Sequence, residues 1–327
     1  MNRTQFNKIV GLSLFLGLFL ACGNKPKTDL GYDYEAAASF FAADESFHPI
    51  LDEELEVFTK VFNRRIIHED TLKALYTSEQ EAIEMLMKNE TWLAFTTRTF
   101  TEKELNNLKA RSFFPRVMPI GYDGLAIIVN NANPDTCISV KDIARILKGE
   151  VTSWKDIYPK SKLGKIEVVF DNPHSSAVRY CVDSILGGQP INSDIQENIG
   201  AMLKSAEVID YVERTPNAFG IIGSNWLNDK RDTTNITFNK NITVMKVSRL
   251  DSATVQNSWR PYQYYIYNGH YPLVRTIYAL ICEPRSGIPT GFANFCRQPQ
   301  GQKIIFTAGL LPIMSDMNVR NINVVSK

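Results

Sequence analysis

The sequence predicts an α/β protein of two lobes, each a mostly parallel sheet flanked by helices, and three observations lead there. The chain has 327 residues, more than one hydrophobic core usually serves. Its apolar pattern switches repeatedly between the helical and the strand period, so strands and helices alternate, as a parallel sheet with helical crossovers requires. A hydrophobic fraction of 44% with 22% charged residues fits an ordinary globular body and excludes a disordered or collagen-like chain.

The first element is an address. Arg3 and Lys8 precede an apolar run from Ile9 to Ala21, too short to span a bilayer and suited to the h-region of a secretory signal. The run stops at Leu20-Ala21-Cys22-Gly23, and polar residues follow. A lone cysteine after a small residue at that place resembles a bacterial lipobox, although Phe19 and Leu20 depart from its tidiest form. The resemblance implies a signal peptide of residues 1–21, diacylglycerol on Cys22, a tether over 22–35 and a stable membrane anchor. Such an export route is oxidising, so Cys137, Cys181, Cys282 and Cys296 can pair in three ways or remain buried thiols.

The body then reads in order. Pro49, the acids Asp52 to Glu54 and the spacing of Leu51, Leu55, Phe58 and Phe62 predict an amphipathic helix. Glu81–Lys88 predicts a second helix, Trp92–Phe95 a buried strand, and Thr101 to Glu104 a capping box. Leu125–Val129 is a strand before the turn cluster Asn130–Pro134, and Ser139–Leu147 is a helix capped by Ser139 and closed by Gly149. Ile166–Phe170 is a strand, Ser175–Leu186 a helix, and the aromatic run Tyr262–Tyr267 fits either sugar stacking or, preferred, a hinge strand packed on both faces.

Several functions drop out. Lys+Arg 36 against Asp+Glu 35 lacks the basic surplus of a nucleic-acid binder. Four histidines without a Cys-x-x-Cys pair leave little for a metal site, so His48 and His174 read as hydrogen-bonding loop residues. No Gly-x-Ser-x-Gly elbow or catalytic triad is recognisable, and neither an enzyme nor a cofactor is expected.

Three strand-to-helix junctions carry hydroxyls: Asp44 to Pro49, Phe95 to Thr99, and Asp171 to Ala177. A helix start offers free N–H donors to an anion, Ser and Thr add rotatable donors, and Arg98 adds a planar fork. Each junction alone is an ordinary N-cap. Three in one chain point to an anion site.

These motifs resemble the phosphate-binding proteins of ABC transporters, the type II periplasmic binding-protein family. The family's Gly-Ser-[Ser/Thr]-[Thr/Val]-x-Pro loop is similar to Asp44-Glu45-Ser46-Phe47-His48-Pro49, and its Ser-Ser-Arg turn to Thr96-Thr97-Arg98. Asp123-Gly124-Leu125, the stretch Ile138 to Trp154, Asn217 to Ile221, Tyr271-Pro272-Leu273-Val274-Arg275, Gly301-Gln302 and Gly309 to Pro312 extend the likeness along nearly the whole mature chain. The third family loop, Arg-x-x-x-Ser-Gly-Thr, is degraded: only Ser175 matches, Asp171 replaces the arginine and Ala177 the threonine. The Ser-Gly-rich loop after the second strand is not recognisable in residues 69–80.

The resemblance implies lobes of about 36–118 plus 261–320 and of 119–260, with two crossings between them. It implies an inter-lobe site built from Ser46, Phe47, Thr96, Thr97 and Arg98 on one side and Ser175, Ser176 and Ala177 on the other. Arg98 would supply the cationic charge unless Arg179 turns inward, and Asp123 and Asp171 either accept a ligand proton or serve as ordinary strand-end cap or turn residues. The implied ligand is phosphate or a related oxyanion, and the implied partners are ABC permease subunits. The protein would be a lipid-anchored monomer of the envelope of a Gram-negative-type bacterium. The weakened third loop leaves open a surface sensor or interaction module that keeps the fold without tight solute binding.

Overall fold

The computed structural model describes residues 32–66, 72–199, 202, 204–227 and 240–313, and the folded body begins at Tyr34. Its strands are β1 (Phe40–Asp44), β2 (Lys73–Thr77), β3 (Leu93–Thr96), β4 (Arg116–Asn130), β5 (Cys137–Ser139), β6 (Glu167–Val169), β7 (Ala218–Gly223), β8 (Ile242–Val244), β9 (Lys246–Ser248), β10 (Val274–Ile281) and β11 (Leu311–Pro312). Among the described residues the main sheet runs β2-β1-β3-β10-β4-β7-β6, with β8 and β11 also pairing β4, while β5 and β9 pair apart.

The sheet is mixed, where a mostly parallel one was expected. β1 is parallel to β2 and β3, and β6 to β7. β10, however, is antiparallel to both β3 and β4, and β4 is antiparallel to β7. Helical crossovers impose one direction only on the strands they join. β10 returns from the far end of the sequence and is free of that constraint.

Local signals hold well. Thr101 and Glu104 make both bonds of the capping box on the helix Glu102–Ala110. Ser139 caps Val140–Leu147, and Gly149 ends it with a φ of +74°. The helix expected over 175–186 is Ser176–Tyr180, continued by a wider π turn over Cys181–Ile185. Tyr262–Tyr267 does not extend: Gln263–Tyr267 is helical, with Ile266 buried and Tyr264 and Tyr267 exposed. Cys137, Cys181, Cys282 and Cys296 are free thiols. The signal peptide, Cys22 and most of the tether lie outside the described residues.

β4 organises the interior. Its first part pairs β10 through Gly124, and Leu125–Val129 pairs β7. Alternate side chains of that second part enter different cores, as the period of two demands. Leu125, Ile127 and Val129 join Trp154, Phe170 and Phe219, whereas Ala126 and Ile128 join Val208, Val212 and Ile222. Both faces are therefore covered. A separate core under β1, β3 and β10 gathers Phe41, Phe47, Leu51, Phe95, Phe292 and Phe295. Each such side chain contributes about 1.5–3 kcal/mol of burial. Loops at the C-terminal ends of β1, β3, β6 and β7 are where an α/β sheet places a ligand.

Candidate functional site

Asp44 is the last residue of β1 and is fully buried. Its Oδ1 accepts the Ser46 amide at 3.0 Å and the Ser46 hydroxyl, and its Oδ2 accepts the Ser176 amide at 2.9 Å. Residues 44–46 thus meet the loop after β6 through a carboxylate. Ser175 stays in its structural place, capping the helix through the Val178 amide at 3.2 Å, and Ala177 is buried beside it.

Arg275, in β10, carries the positive charge of this cluster. Its Nε and Nη2 donate to Asp123 Oδ2 at 2.9 and 2.8 Å, its Nη1 to Ser176 Oγ at 2.6 Å, and its Nη2 also to Ser46 Oγ at 3.2 Å. The other Asp123 oxygen takes the Ser224 amide and hydroxyl at 3.0 and 2.9 Å. The guanidinium lies 5.1 Å from the centre of the Phe47 ring, within cation–π range. With side-chain exposures of 1% and 0%, Arg275 and Asp123 form a buried pair that is tolerable only because its donors and acceptors are matched. Gly223 makes the room: a Cβ there would lie 2.8 Å from Arg275 Nη2.

The loop after β7 closes the cluster. Asn225 Nδ2 and Trp226 Nε1 both donate to the Ser46 carbonyl, at 2.8 and 2.9 Å. Asn225 Oδ1 and Asp171 Oδ2 are buried without a hydrogen bond of normal geometry among the described residues. Burial, then the Asp44 carboxylate, push the Asp171 carboxyl up to about 7. Asp44 is also raised, by burial and then by Glu79, against the pull of Arg275. Burial and repulsion among the acids thus raise both neighbouring carboxyls above their ordinary range.

A second cluster borders the first. Glu79 accepts the Thr97 amide and hydroxyl at 2.5 and 2.8 Å and pairs with Arg179 Nε. Arg179 also reaches Thr97 Oγ1 at 2.6 Å and Asp183 at 2.8 Å. Burial opposes ionisation of Glu79, yet Arg179 and Thr97 together hold its carboxyl below the usual range. Beyond it opens a groove of about 900 Å³, lined in part by Glu79, Arg98, Glu104, His174 and Arg179.

Ser46, Phe47 and Ser176 therefore meet around Arg275, and Thr97 lies one cluster away. Arg98 does not enter. Its guanidinium is held by Glu104 in a fork of two 2.8 Å bonds on the groove wall, and Thr96 Oγ1 closes the turn on the Arg98 carbonyl at 2.8 Å. The Glu104 of the capping box captures it because that carboxylate already sits over the helix start. The charge expected of Arg98 comes from Arg275, which the sequence motif contained but to which no role was given. A signal existed: the strand period puts Arg275 on the same face as Ile277, Ala279 and Ile281, which are buried.

Comparison with known proteins completes the picture. The PBP_like_2 family, described as a PBP superfamily domain, matches residues 35–298. The phosphate-binding protein PstS of Borreliella burgdorferi is 24% identical over 276 residues, covering 81% of this chain and 86% of that protein. A Clostridium perfringens protein solved with bound phosphate superposes with a TM-score of 0.66 at 17% identity, over 84% of this chain and 99% of that one. An ABC-type phosphate transport receptor from Vibrio cholerae gives 0.60 at 22% identity, over 83% and 98%.

Proposed function

Belonging to the PBP superfamily, this chain is a solute-binding protein and not an enzyme, and we propose that its solute is phosphate or a closely related oxyanion, captured for an ABC-type uptake transporter. One observation carries the reading. A buried guanidinium, Arg275, is tied to the hydroxyls of Ser46 and Ser176, whose backbone amides converge on the same spot. One fixed cation surrounded by small rotatable donors is the chemistry of a desolvated oxyanion site. The phosphate named for the Vibrio cholerae and Borreliella burgdorferi proteins supports the choice of anion.

The site lies between two lobes in this proposal, about 36–118 with 261–320 and 119–260. Most of the core around Phe292 falls in the first range and most of the core around Trp154 in the second, although Tyr271 and Leu273 join the latter, and this supports the division. Ser46, Phe47 and Thr97 come from one lobe, and Ser175, Ser176 and Ala177 from the other, so closure sequesters the solute and presents it to permease subunits. Cys22 anchors the protein by lipid on the extracytoplasmic side of a Gram-negative-type envelope, as a monomer. Cys22→Ser should appear as uncleaved precursor or in the soluble fraction. Mature-sized Cys22→Ser in membranes would refute the anchor.

The decisive experiment is calorimetric titration of the protein with phosphate, sulfate, molybdate and methylphosphonate. Saturable binding with phosphate preferred supports the reading, and no binding to any of the four refutes it. Asp44 favours a second reading. Because its carboxylate takes the amides of Ser46 and Ser176, the fold could serve as a sensor or interaction module without tight solute capture, the outcome that four silent titrations would indicate.

A further inference from the structure

We infer that Asp44 is a built-in occupant of the oxyanion cradle: its carboxylate takes the hydrogen bonds an incoming oxyanion needs, so a solute anion binds only by displacing it. The inference deepens the proposed oxyanion function and rests on it. Oδ1 holds the amide and hydroxyl of Ser46, and Oδ2 holds the amide of Ser176. The hydroxyls of the same two serines receive Arg275. Two amides, one hydroxyl and a neighbouring guanidinium form a full shell for one negative charge.

Charge bookkeeping around the cradle makes a second anion unwelcome while Asp44 stays ionised. Arg275 already serves Asp123 at 2.8 Å. Asp171 and Glu79 face Asp44 electrostatically, Glu45 sits next to it, and Arg179 is engaged by Glu79. The neighbouring acids repeat the pattern, for Glu79 holds the Thr97 amide and Glu45 the Ser205 amide at 2.9 Å. Donors that could serve a solute are committed to side chains of the protein itself. Burial, then Glu79, keep the Asp44 carboxyl above its ordinary range, so a proton helps to release its donors. Solute affinity should therefore rise as pH falls.

The test compares wild type, Asp44→Ala and the same-shaped Asp44→Asn by calorimetric titration of the full chain with inorganic phosphate at pH 5.5 and pH 8. Phosphate changes its own charge over this range identically for all three, so the comparison between proteins carries the information. At pH 8 Asp44→Ala should bind at least about tenfold more tightly than wild type. Asp44→Asn should also bind more tightly, and the gain that wild type shows on acidification should shrink in both variants. Wild type that binds phosphate, beside folded variants that bind it no more tightly, overturns the inference but leaves the oxyanion function standing. Silence of all three toward phosphate, sulfate, molybdate and methylphosphonate at both pH values overturns both. If Asp44→Ala fails to melt cooperatively, the result for Asp44→Asn decides.

Discussion

Arg275 and Arg98 are both arginines beside carboxylates and hydroxyls, yet they occupy opposite environments. Arg275 has a side chain 1% exposed, makes its bonds to three different loops and strands, and has every acceptor inside the protein. Arg98, with a side chain 25% exposed, folds back on a glutamate six residues away at the edge of the groove. A charge that bridges distant segments in a dry interior specifies the fold and the site together. A charge that is satisfied locally at a wall specifies little beyond its own loop.

Breaking the interior end should have the largest effect. Arg275→Met leaves Asp123 buried without its cation, and we expect a loss of about 3–5 kcal/mol in denaturant unfolding together with loss of phosphate binding. A variant that unfolds like wild type would show that the buried pair is not what holds these strands. Glu54 sharpens the contrast, being a buried acid that no cation pairs among the described residues. Among the described residues neither of its oxygens has a hydrogen bond of normal geometry, and burial, then Glu53, push its carboxyl up to about 8. The folded state therefore binds the proton more tightly than the unfolded chain. Its contribution is full below the ordinary carboxylate range and is lost as pH rises toward 8. Glu54→Gln should match wild type at pH 4 and exceed it by about 4 kcal/mol at pH 8. Equal stabilities at pH 8 would remove this buried charge from the account.

The intermediate case is Arg179, 29% exposed and shared among Glu79, Thr97 and Asp183. Arg179→Ala should lower stability by about 1–2 kcal/mol, the loss growing as Glu79 ionises with rising pH. At the outer end, Arg98→Ala should change stability by less than about 1 kcal/mol, and phosphate affinity by less than about twofold. A hundredfold loss of affinity in that variant would move the site to the groove wall.

How much could be read in advance follows the same division. Short-range features were legible because each depends on a few neighbouring residues: the Thr101 capping box, the Ser139 cap, the Gly149 stop, and the hydroxyl-bearing loops at Ser46 and Ser176. The direction of β10 was not, since pairing with β3 and β4 depends on residues more than 140 positions away along the chain. Arg98 misled because a forked cation beside a helix start looks the same whether it faces a ligand or Glu104. Arg275 was legible in principle, as the charged member of an alternating apolar strand. Asp44 and Glu45 stand where the resembled family has Gly and Ser, and only the fold reveals that their carboxylates take up backbone amides of Ser46, Ser176 and Ser205.

The position of β10 also bears on how the polypeptide is made. This strand separates β3 from β4 in the sheet, although it follows them by well over a hundred residues in the chain. Until residues 274–281 have left the ribosome, β3 and β4 each present an unpaired edge, and neither can bond the other across the gap. Gln302 then secures the arrangement, donating to the carbonyls of Ile120 and Cys296 and accepting the Ile313 amide. The nascent chain consequently cannot finish its sheet while its C-terminal part is still being synthesised. A chain truncated before Val274 is left with two open edges that invite aggregation.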